Sequence, residues 1–346
     1  MRTIPVVLTL LTFSCGFEPS AEPPPDFVPY GVICRSLECG NSGEVGRNGL
    51  HEASLSGKWD DNKIYLETNE HSRAQIWDRD HKAYDLHVEN STLFGVALDG
   101  SILAHDHLRD ATIHVWQGGS PLYIIRLGGA RYIEKRVGGK VEVYEMFWQR
   151  LDGHEEGELC NVPTYPIGRD DMADMRNNEV VLFEGDRIHA RTKTMSKDKD
   201  WDPDWFNFGC AGRTLAKLKI NAQTTKDQMP GQGWERRQAT LKMLCADYCG
   251  TGKSYTETGI PLVWNDGEYM PYRVEPIAIE ARWTELGSIC VNTPRLEEAI
   301  GAPIFQEMIA DSCLPLTCND PWSFGSPPPG PHDFSDGAEV ISGFWQ

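Results

Sequence analysis

Cysteine is the residue type with the clearest chemistry in this sequence, because ten cysteines in 346 residues can build a framework of disulfide bonds. Setting Cys15 aside leaves nine, so at least one thiol must stay reduced or pair between molecules. The disulfide candidates are Cys34, Cys39, Cys160, Cys210, Cys245, Cys249, Cys290, Cys313 and Cys318. Cys34–Cys39 and Cys313–Cys318 each enclose four residues and are the simplest local bridges, whereas the pairing of the other five stays open. A zinc site is less favoured, because no pair has zinc-knuckle spacing.

Two segments imitate known ligand loops but lack a required residue. The sequence GTGKS at 250–254 resembles the end of a phosphate-binding P-loop, but Asp247 stands where that loop requires glycine. The alternating aspartates of 198–204 resemble the start of an EF-hand, but Pro203 and Gly209 replace its glycine and its glutamate. We therefore expect a solvated acidic loop at 198–204, with an irregular calcium site as the alternative.

Histidine and catalytic patterns are also incomplete. Strand alternation would put His105 and His107 on one face, with His114 in the next strand, but a metal site needs a third converging ligand. No GxSxG, HExxH or dinucleotide-binding glycine pattern occurs in the sequence. The sequence therefore nominates no metal ligand, no cofactor and no catalytic residue.

Five tryptophans in the second half of the chain could line a carbohydrate groove or fill a core. They are Trp201, Trp205, Trp234, Trp264 and Trp283. A core is the favoured interpretation, because large aromatic side chains dominate the energetics of burial.

The segment CADYCGTGKS, at 245–254, resembles the signature of the bacterial ADYC-domain family. The similarity extends to 206–220, 254–266 and 281–296, and so covers about residues 155–300. Cys245 stands where family members often have arginine. The resemblance implies an exported, cysteine-rich protein, and it brings no catalytic residue because the family has no assigned activity.

The motif residues are Ala246, Asp247, Tyr248, Cys249 and Gly250. A structural role is favoured, in which Asp247 follows a short helix and bonds backbone amides of the glycine turn, while Tyr248 buries its ring. Cys249 could tie this turn to Cys210 or Cys290. The alternative is a binding or catalytic role for the motif.

The first residues predict the compartment. Residues 1–15 are typical of a signal peptide, in which Arg2 precedes an apolar run well short of the ~20 residues that span a bilayer. The end of this run resembles a bacterial lipobox, which makes Cys15 the candidate for lipidation. An ordinary secretory signal cleaved near Ala21 is the alternative. Residues 16–44 would form a proline-rich linker and a small cysteine loop.

The net charge limits the partners. A formal charge of −18 argues against nucleic acid, because the long-range field repels phosphate. We expect an unidentified envelope or extracellular ligand, with membrane contact only through a lipid anchor at Cys15.

The elements that must position these residues begin with a β-rich domain at 45–152. Glycine pairs at 118–119, 128–129 and 138–139 recur every ten residues and bracket runs typical of strands. Because Gly-Gly adopts the positive φ of two-residue turns, each pair predicts a hairpin. The whole region predicts an antiparallel meander within a sandwich or curled sheet.

A disulfide-tied ADYC-like domain at 153–320 is predicted to follow, and then a flexible tail at 321–346, rich in proline and glycine. Within the domain, 178–188 predicts a strand and 193–205 a charged loop. The predicted fold class is therefore α+β, predominantly antiparallel β, with an N-terminal β-meander or sandwich domain before a mixed domain with short helices.

Helical spacing occurs at 212–220, 235–249 and 293–312. The last of these predicts a helix with Thr293 as its cap, Pro294 as its first residue and a break at Pro303.

These observations predict an exported cell-envelope lipoprotein or secreted protein of non-enzymatic, binding or structural type. The alternative is an exported hydrolase with an unrecognised site around Asp247 and Tyr248. A thiol-redox protein using Cys245 and Cys249 is a third class, although this pair lacks the two-residue redox spacing.

Overall fold

A computed structural model of the chain describes residues 50–60, 63–135, 139–151, 153, 156–160, 175–227, 232–256, 262–265, 278–301, 303–313, 315–318 and 338–344. The predicted signal peptide with Cys15, the linker, and the Cys34–Cys39 loop lie outside these ranges. Among the described residues, no helix is both long and apolar enough to cross a membrane.

The fold is predominantly antiparallel β, which confirms the predicted class. The strands before the helices are β1 Glu52–Ser54, β2 Ile64–Leu66, β3 Gln75–Trp77, β4 Ala83–Glu89, β5 Thr92–Val96, β6 Ile102–Ala104, β7 Thr112–Gln117, β8 Ser120–Glu134, β9 Lys140–Arg150, β10 Glu156–Glu158, β11 Glu179–Gly185, β12 Ile188–His189, β13 Thr194–Met195 and β14 Asp202–Cys210. The remaining elements are α1 Thr214–Ile220, α2 Trp234–Leu244, β15 Val263–Asn265, β16 Ala278–Thr284, β17 Gly287–Val291, α3 Arg295–Ile300, α4 Ile304–Ala310 and β18 Val340–Phe344.

Twelve strands form one large sheet in the order β1-β14-β11-β9-β8-β7-β3-β4-β5-β6, with β10 beside β9 and β2 beside β7. The small β12-β13 hairpin and a four-stranded sheet, β15-β18-β16-β17, complete the β-structure of the described residues. Because β11 and β14 pair with β9 and β1, the large sheet contains strands from both sides of the boundary predicted at 152/153.

The glycine pairs of the meander have two different roles. Gly118-Gly119 forms the predicted turn between β7 and β8, with φ of 57° and 89°. The hairpin predicted at Gly128-Gly129 is wrong, because β8 runs through this pair as one strand with a register shift at Leu127/Gly129. A Cβ on Gly128 would lie 2.6 Å from Phe147 Cε2, so glycine permits close packing here instead of chain reversal. In the third pair, Gly139 lies just before β9, and Gly138 is outside the described residues.

Strand β11 is buried on both faces, which explains its continuous apolar run. Val180 and Leu182 join the core of the large sheet, while Val181 packs with Ala216 and Ile220 of α1 on the other side. Helix α1 can lie close to β14 because Gly209 has no side chain. A Cβ at this position would lie only 2.7 Å from the Ala216 nitrogen. The predicted helix at 212–220 thus covers the sheet.

A second core lies between α2 and the four-stranded sheet. Trp264 and Trp283 are buried in this core, and Trp205 is buried in β14 of the large sheet, as the core interpretation predicts. Trp201 and Trp234 are only partly buried. The acidic loop predicted over 193–205 ends early, because β14 already begins at Asp202.

The late helical segment divides as its proline predicts. Helix α3 ends at Ile300, Gly301 takes a left-handed φ of 68°, and Pro303 caps α4. The cap of α3 is Pro294, not Thr293, because the first helical residue is Arg295.

The end of the predicted flexible tail is ordered in this fold. Val340–Phe344 forms β18, which lies between β15 and β16. The tail prediction is therefore wrong for this segment, because its apolar residues pair with two strands and Val340 is buried in the second core.

Candidate functional site

The ADYC tetrad forms the turn that ends α2. The Ala246 amide donates to the Met243 carbonyl (2.9 Å), and the Asp247 amide donates to the Lys242 carbonyl (2.9 Å). Ala246 takes the left-handed φ of 48° that this type of helix end requires, a position that glycine usually fills. The tetrad therefore lies just outside α2, and the helix predicted over 235–249 is shorter than expected.

The two glycines after the tetrad let other backbone segments approach closely. Gly250 and Gly252 have φ of 68° and 86°. A Cβ would lie 1.8 Å from the Leu286 oxygen at Gly250 and 1.9 Å from the Arg191 oxygen at Gly252. No side chain fits at either position. Close backbone packing therefore explains why both residues are glycine, and no phosphate-binding role is needed to explain them.

Asp247 is fully buried and holds this turn together. Its Oδ2 accepts hydrogen bonds from Lys242 Nζ (2.6 Å) and from the Gly252 amide (2.8 Å). Lys242 Nζ also donates to the Thr192 carbonyl (2.8 Å). Burial raises the pKa of Asp247, although the Lys242 ammonium opposes that shift. The carboxylate thus joins the end of α2, the glycine turn and the β12–β13 region.

Tyr248 belongs to a second buried network. Its hydroxyl donates to Glu280 Oε1 and accepts a hydrogen bond from the Arg295 amide (3.0 Å). Arg295 Nε donates to the same Glu280 oxygen (2.8 Å), and Arg295 Nη2 reaches the Met243 carbonyl (2.8 Å). The Tyr248 ring stacks on Trp283 at 5.0 Å, and burial raises the pKa of Tyr248 well above its usual value. The tyrosine thus connects α2, β16 and α3.

The disulfide pattern corrects the predicted bridges. Cys249 bonds Cys313, Cys290 bonds Cys318, and Cys160 bonds Cys210. The local Cys313–Cys318 bridge is therefore wrong, as are the partners Cys210 and Cys290 considered for Cys249. Leu316 pairs with Cys290 of β17 through an isolated backbone β-bridge, and this pairing brings Cys318 to that strand. The end of α4 lies against the ADYC turn, since Lys253 pairs with Asp311, and this brings Cys313 close to Cys249. Proximity in the folded structure, and not a short separation in the sequence, therefore determines which cysteines pair.

Cys245 is a thiol outside these three disulfides, which agrees with the odd number of cysteines. Its Sγ lies 3.7 Å from Thr214 Oγ1, and the residue is fully buried. A thiol in this position is inaccessible to a dissolved redox partner, and Cys249 is already oxidised with Cys313.

The histidine and aspartate candidates do not converge. His105 and His107 lie in a 3-10 turn, His105–Leu108, so their predicted placement on one strand face is wrong. His105 Nδ1 lies 2.9 Å from Glu142, and His114 Nδ1 lies 2.7 Å from Glu67. The aspartates of 198–204 are divided between two cations, since Asp198 pairs with Arg237, whereas Asp202 and Asp204 both pair with Lys58. The described residues contain no group of three side chains placed to hold a metal.

An aromatic surface that was not predicted from the sequence lies on the outer side of the large sheet. This aromatic face consists of Trp59, Tyr65, Trp77, His114 and Trp116. The Trp59 and Tyr65 rings stack at 5.5 Å, Tyr65 lies 6.4 Å from Trp116, and Trp77 stacks on His114 at 4.2 Å. Trp59 is 52% exposed and the others are partly exposed. The sequence pattern that could have predicted this surface is the alternation of ring side chains with aliphatic ones in the strand sequences IYL and TIHVWQ.

Polar side chains interleave with these rings. Glu67 Oε2 contacts His114 Nδ1 (2.7 Å) and accepts a bond from Trp116 Nε1 (3.4 Å). Nearby, Asp85 Oδ1 accepts bonds from Asn69 Nδ2 (2.8 Å) and Gln75 Nε2 (2.7 Å). Flat apolar rings beside fixed carboxylate and amide groups suit a ligand that has both apolar faces and hydroxyl groups.

Comparison with known proteins gives one match. A family model described as the ADYC domain matches residues 105–297, which is more than half of the chain. This range begins at 105, not near 155 where the motif resemblance starts, and so takes in β7, β8 and β9 together with the tetrad. No curated protein and no solved structure matches the chain.

Proposed function

The chain belongs to the ADYC-domain family, and on that premise we propose that it is an exported cell-envelope protein that binds a glycan of the envelope or its surroundings without catalysis. In this proposal the ADYC motif is a structural lock, and the aromatic face is the binding surface. Export occurs through the signal at 1–15, with lipid attachment at Cys15 or simple secretion as the two alternatives.

Export is supported by the disulfides. Three disulfides among the described residues are consistent with an extracellular protein, because cytosolic reductants keep thiols reduced. The signal-like start and the proline-rich segment after it add sequence support.

The aromatic face is the observation on which the binding proposal rests. Sugar rings present apolar C–H faces that stack on flat aromatic side chains, and their hydroxyls need hydrogen-bonding groups, which the partly exposed carboxylates of Glu67 and Asp85 supply. An exposed cluster of large apolar rings is itself unusual on a protein surface and commonly marks a binding site. The charge of −18 favours a neutral or cationic glycan over a polyanion.

The hydrolase alternative receives no support from the motif geometry. It would need an open cleft in which Asp247 meets a substrate, yet Asp247 and Tyr248 are fully buried. Their polar contacts are with Lys242, Glu280 and Arg295, and with backbone groups.

A binding assay with matched variants tests the proposal. Purified mature protein should co-sediment with insoluble cell-wall glycan, and Trp59→Ala should weaken binding roughly thirty-fold, because loss of a central aromatic contact costs about 2 kcal/mol. Leu98→Ala is the control, since Leu98 is fully exposed in the turn between β5 and β6. Failure of the unaltered protein to bind neutral or cationic glycans, or equal loss in both variants, would contradict the proposal.

Export is tested on the native protein. Non-reducing peptide mass spectrometry of envelope material should find a lipid-bearing Cys15 or a new N-terminus near Ala21. An intact Met1 on all of the protein would refute export through this signal.

A further inference from the structure

A cavity of about 270 Å³ opens at one end of the large sheet, away from the ADYC turn and the aromatic face. It lies where the β4–β5 turn meets the β8–β9 hairpin and the segment after α1. Four lysines and one aspartate line it: Lys135, Lys140, Lys219, Lys226 and Asp227. Such a concentration of ammonium groups is unexpected in a chain with a net charge of −18.

The carboxylates around the cavity do not balance these ammonium groups. Asp227 is shared by two of the lysines, since Lys135 Nζ lies 3.1 Å from its Oδ1 and Lys219 Nζ contacts its Oδ2. Within the described ranges, the other two lysines each pair with one carboxylate outside the lining, Glu184 for Lys226 and Glu134 for Lys140 (3.4 Å). Among the described residues, four positive charges therefore face three negative charges, an excess of one.

Two of these charges are held away from water. The side chains of Lys135 and Lys219 are only 8% and 4% exposed, and they share a single carboxylate. A buried ammonium group that lacks a full counter-charge is costly, so a bound anion would stabilise this arrangement.

A buried hydroxyl in the lining points to the same type of ligand. Ser91 is 1% exposed, and its Oγ has no hydrogen-bond partner among the described residues. The neighbouring backbone amides are already used, because the Asn90 and Ser91 amides donate to Glu184 at 2.8 and 3.2 Å. Ser91 Oγ has almost no accessible surface as placed, so it can donate to an oxygen atom in the cavity only after its side chain rotates about χ1.

We propose that this lysine cavity binds a phosphate group, either as inorganic phosphate or as the monoester end of a larger molecule. The lysines supply charge, and Ser91 supplies a directed hydrogen bond to a phosphate oxygen. The volume is just below that of ordinary small-molecule sites, which suits a phosphate with one small organic group attached. This site is independent of the glycan surface, because it uses different strands and different side chains.

Calorimetric titration of the full mature protein at low ionic strength tests this site, with inorganic phosphate and glucose 6-phosphate as probes. We expect saturable binding of at least one probe, weakened five-fold or more by Lys226→Gln and by Lys140→Gln. Ser91→Ala should also weaken binding, and it removes no charge. Lys82→Gln is the charge-matched control, because Lys82 lies on the surface and pairs with Asp99.

The outcomes separate the sources of the phosphate. Tighter binding of the sugar phosphate assigns the site to a monoester, and tighter binding of inorganic phosphate assigns it to the free ion. The proposal is overturned if neither probe binds saturably, or if Lys82→Gln weakens binding as much as the cavity variants. The thermal unfolding midpoint of each variant checks that it is folded, and glycan co-sedimentation is measured separately, so failure of one proposal leaves the other intact.

Discussion

At the scale of single residues, the ADYC motif contacts two buried ion pairs, one of which includes its own Asp247. Asp247 and Lys242 form an ion pair with side-chain exposures of 0% and 4%, and Glu280 and Arg295 form another with both side chains fully buried. Such pairs contribute little net stability when intact, because desolvation offsets their attraction. Removing one partner is much more costly, because the remaining charge stays buried without its counter-ion.

Asp247→Asn is therefore expected to lower the free energy of unfolding by about 3–5 kcal/mol, because the Lys242 ammonium would lose its buried counter-charge. Chemical denaturation at neutral pH measures this change. Asp99→Asn is the control, since Asp99 pairs with Lys82 on the surface, and we expect it to have little effect. A similar small effect for both variants would argue against the structural lock.

Asp227 gives a prediction on acid stability. Burial opposes its ionisation, but the ammonium groups of Lys219 and Lys135 outweigh burial and hold the pKa of Asp227 below its ordinary value of 3.8. The folded state therefore binds this proton less readily than the unfolded state. The resulting stability is fully present above pH 3.8 and is lost as the pH falls through the lower folded pKa.

We expect Asp227→Asn to make the free energy of unfolding less dependent on pH below about pH 4 than it is in the unaltered protein. Urea denaturation between about pH 6 and about pH 2.5 in phosphate-free buffer measures the slope. Asp80→Asn, at an exposed position, is the control. Parallel curves for the unaltered protein and Asp227→Asn would show that the ion pairs do not favour the folded state.

At the scale of elements, the Cys249–Cys313 disulfide joins the ADYC turn to the end of α4 over a sequence separation of 64 residues. Closing a loop of this length restricts the unfolded chain, which accounts for most of the stabilisation in the chain-entropy view. A hydrogen bond joins the same two segments, because the Tyr255 hydroxyl, a few residues after the ADYC turn, donates to Asp311 at the end of α4 (2.6 Å).

Replacing both Cys249 and Cys313 with alanine should lower the free energy of unfolding by about 2–4 kcal/mol. Thermal and urea unfolding of the oxidised protein measure this loss. Cys245→Ala is the matched control because it leaves the three disulfides of the described residues in place. If Cys245→Ala destabilises the protein as much as the double variant, packing and not the cross-link is responsible.

Features decided by neighbouring residues could be predicted from the sequence, and features decided by distant ones could not. The Gly118-Gly119 turn, the helix α1 and the break at Pro303 follow from local backbone chemistry. The role of Gly128 depends on Phe147 in the paired strand. The partner of Cys249 depends on where α4 packs, and the aromatic face depends on the register that brings Tyr65 beside Trp116.

At the scale of the whole molecule, the described strands connect segments that were predicted to be separate domains. The large sheet extends from β1 near residue 52 to β14 near residue 210, and the family match from 105 to 297 includes strands of the large sheet and of the four-stranded sheet. The ADYC segment therefore folds against a sheet that begins well before it. A fragment containing only 153–320 would leave β11 without its partner β9 and expose the apolar faces of β11 and α1.

Deleting residues 338–344 together with the two that follow should unfold the four-stranded sheet, because β18 pairs with both β15 and β16. We expect loss of near-ultraviolet circular dichroism from the buried Trp264 and Trp283, and a tendency to aggregate through unpaired strand edges. Removing only 345–346 is the control and should preserve the signal. Retention of the signal after the larger deletion would contradict the central position of β18.

The place of β18 also determines the order in which the four-stranded sheet can be completed. Its partners β15 and β16 emerge first, and the strand that fills the space between them comes after α4. Until that later segment arrives, β15 and β16 lack the strand that lies between them. The Cys249–Cys313 and Cys290–Cys318 disulfides join residues that all precede β18, so both can close before the four-stranded sheet is complete.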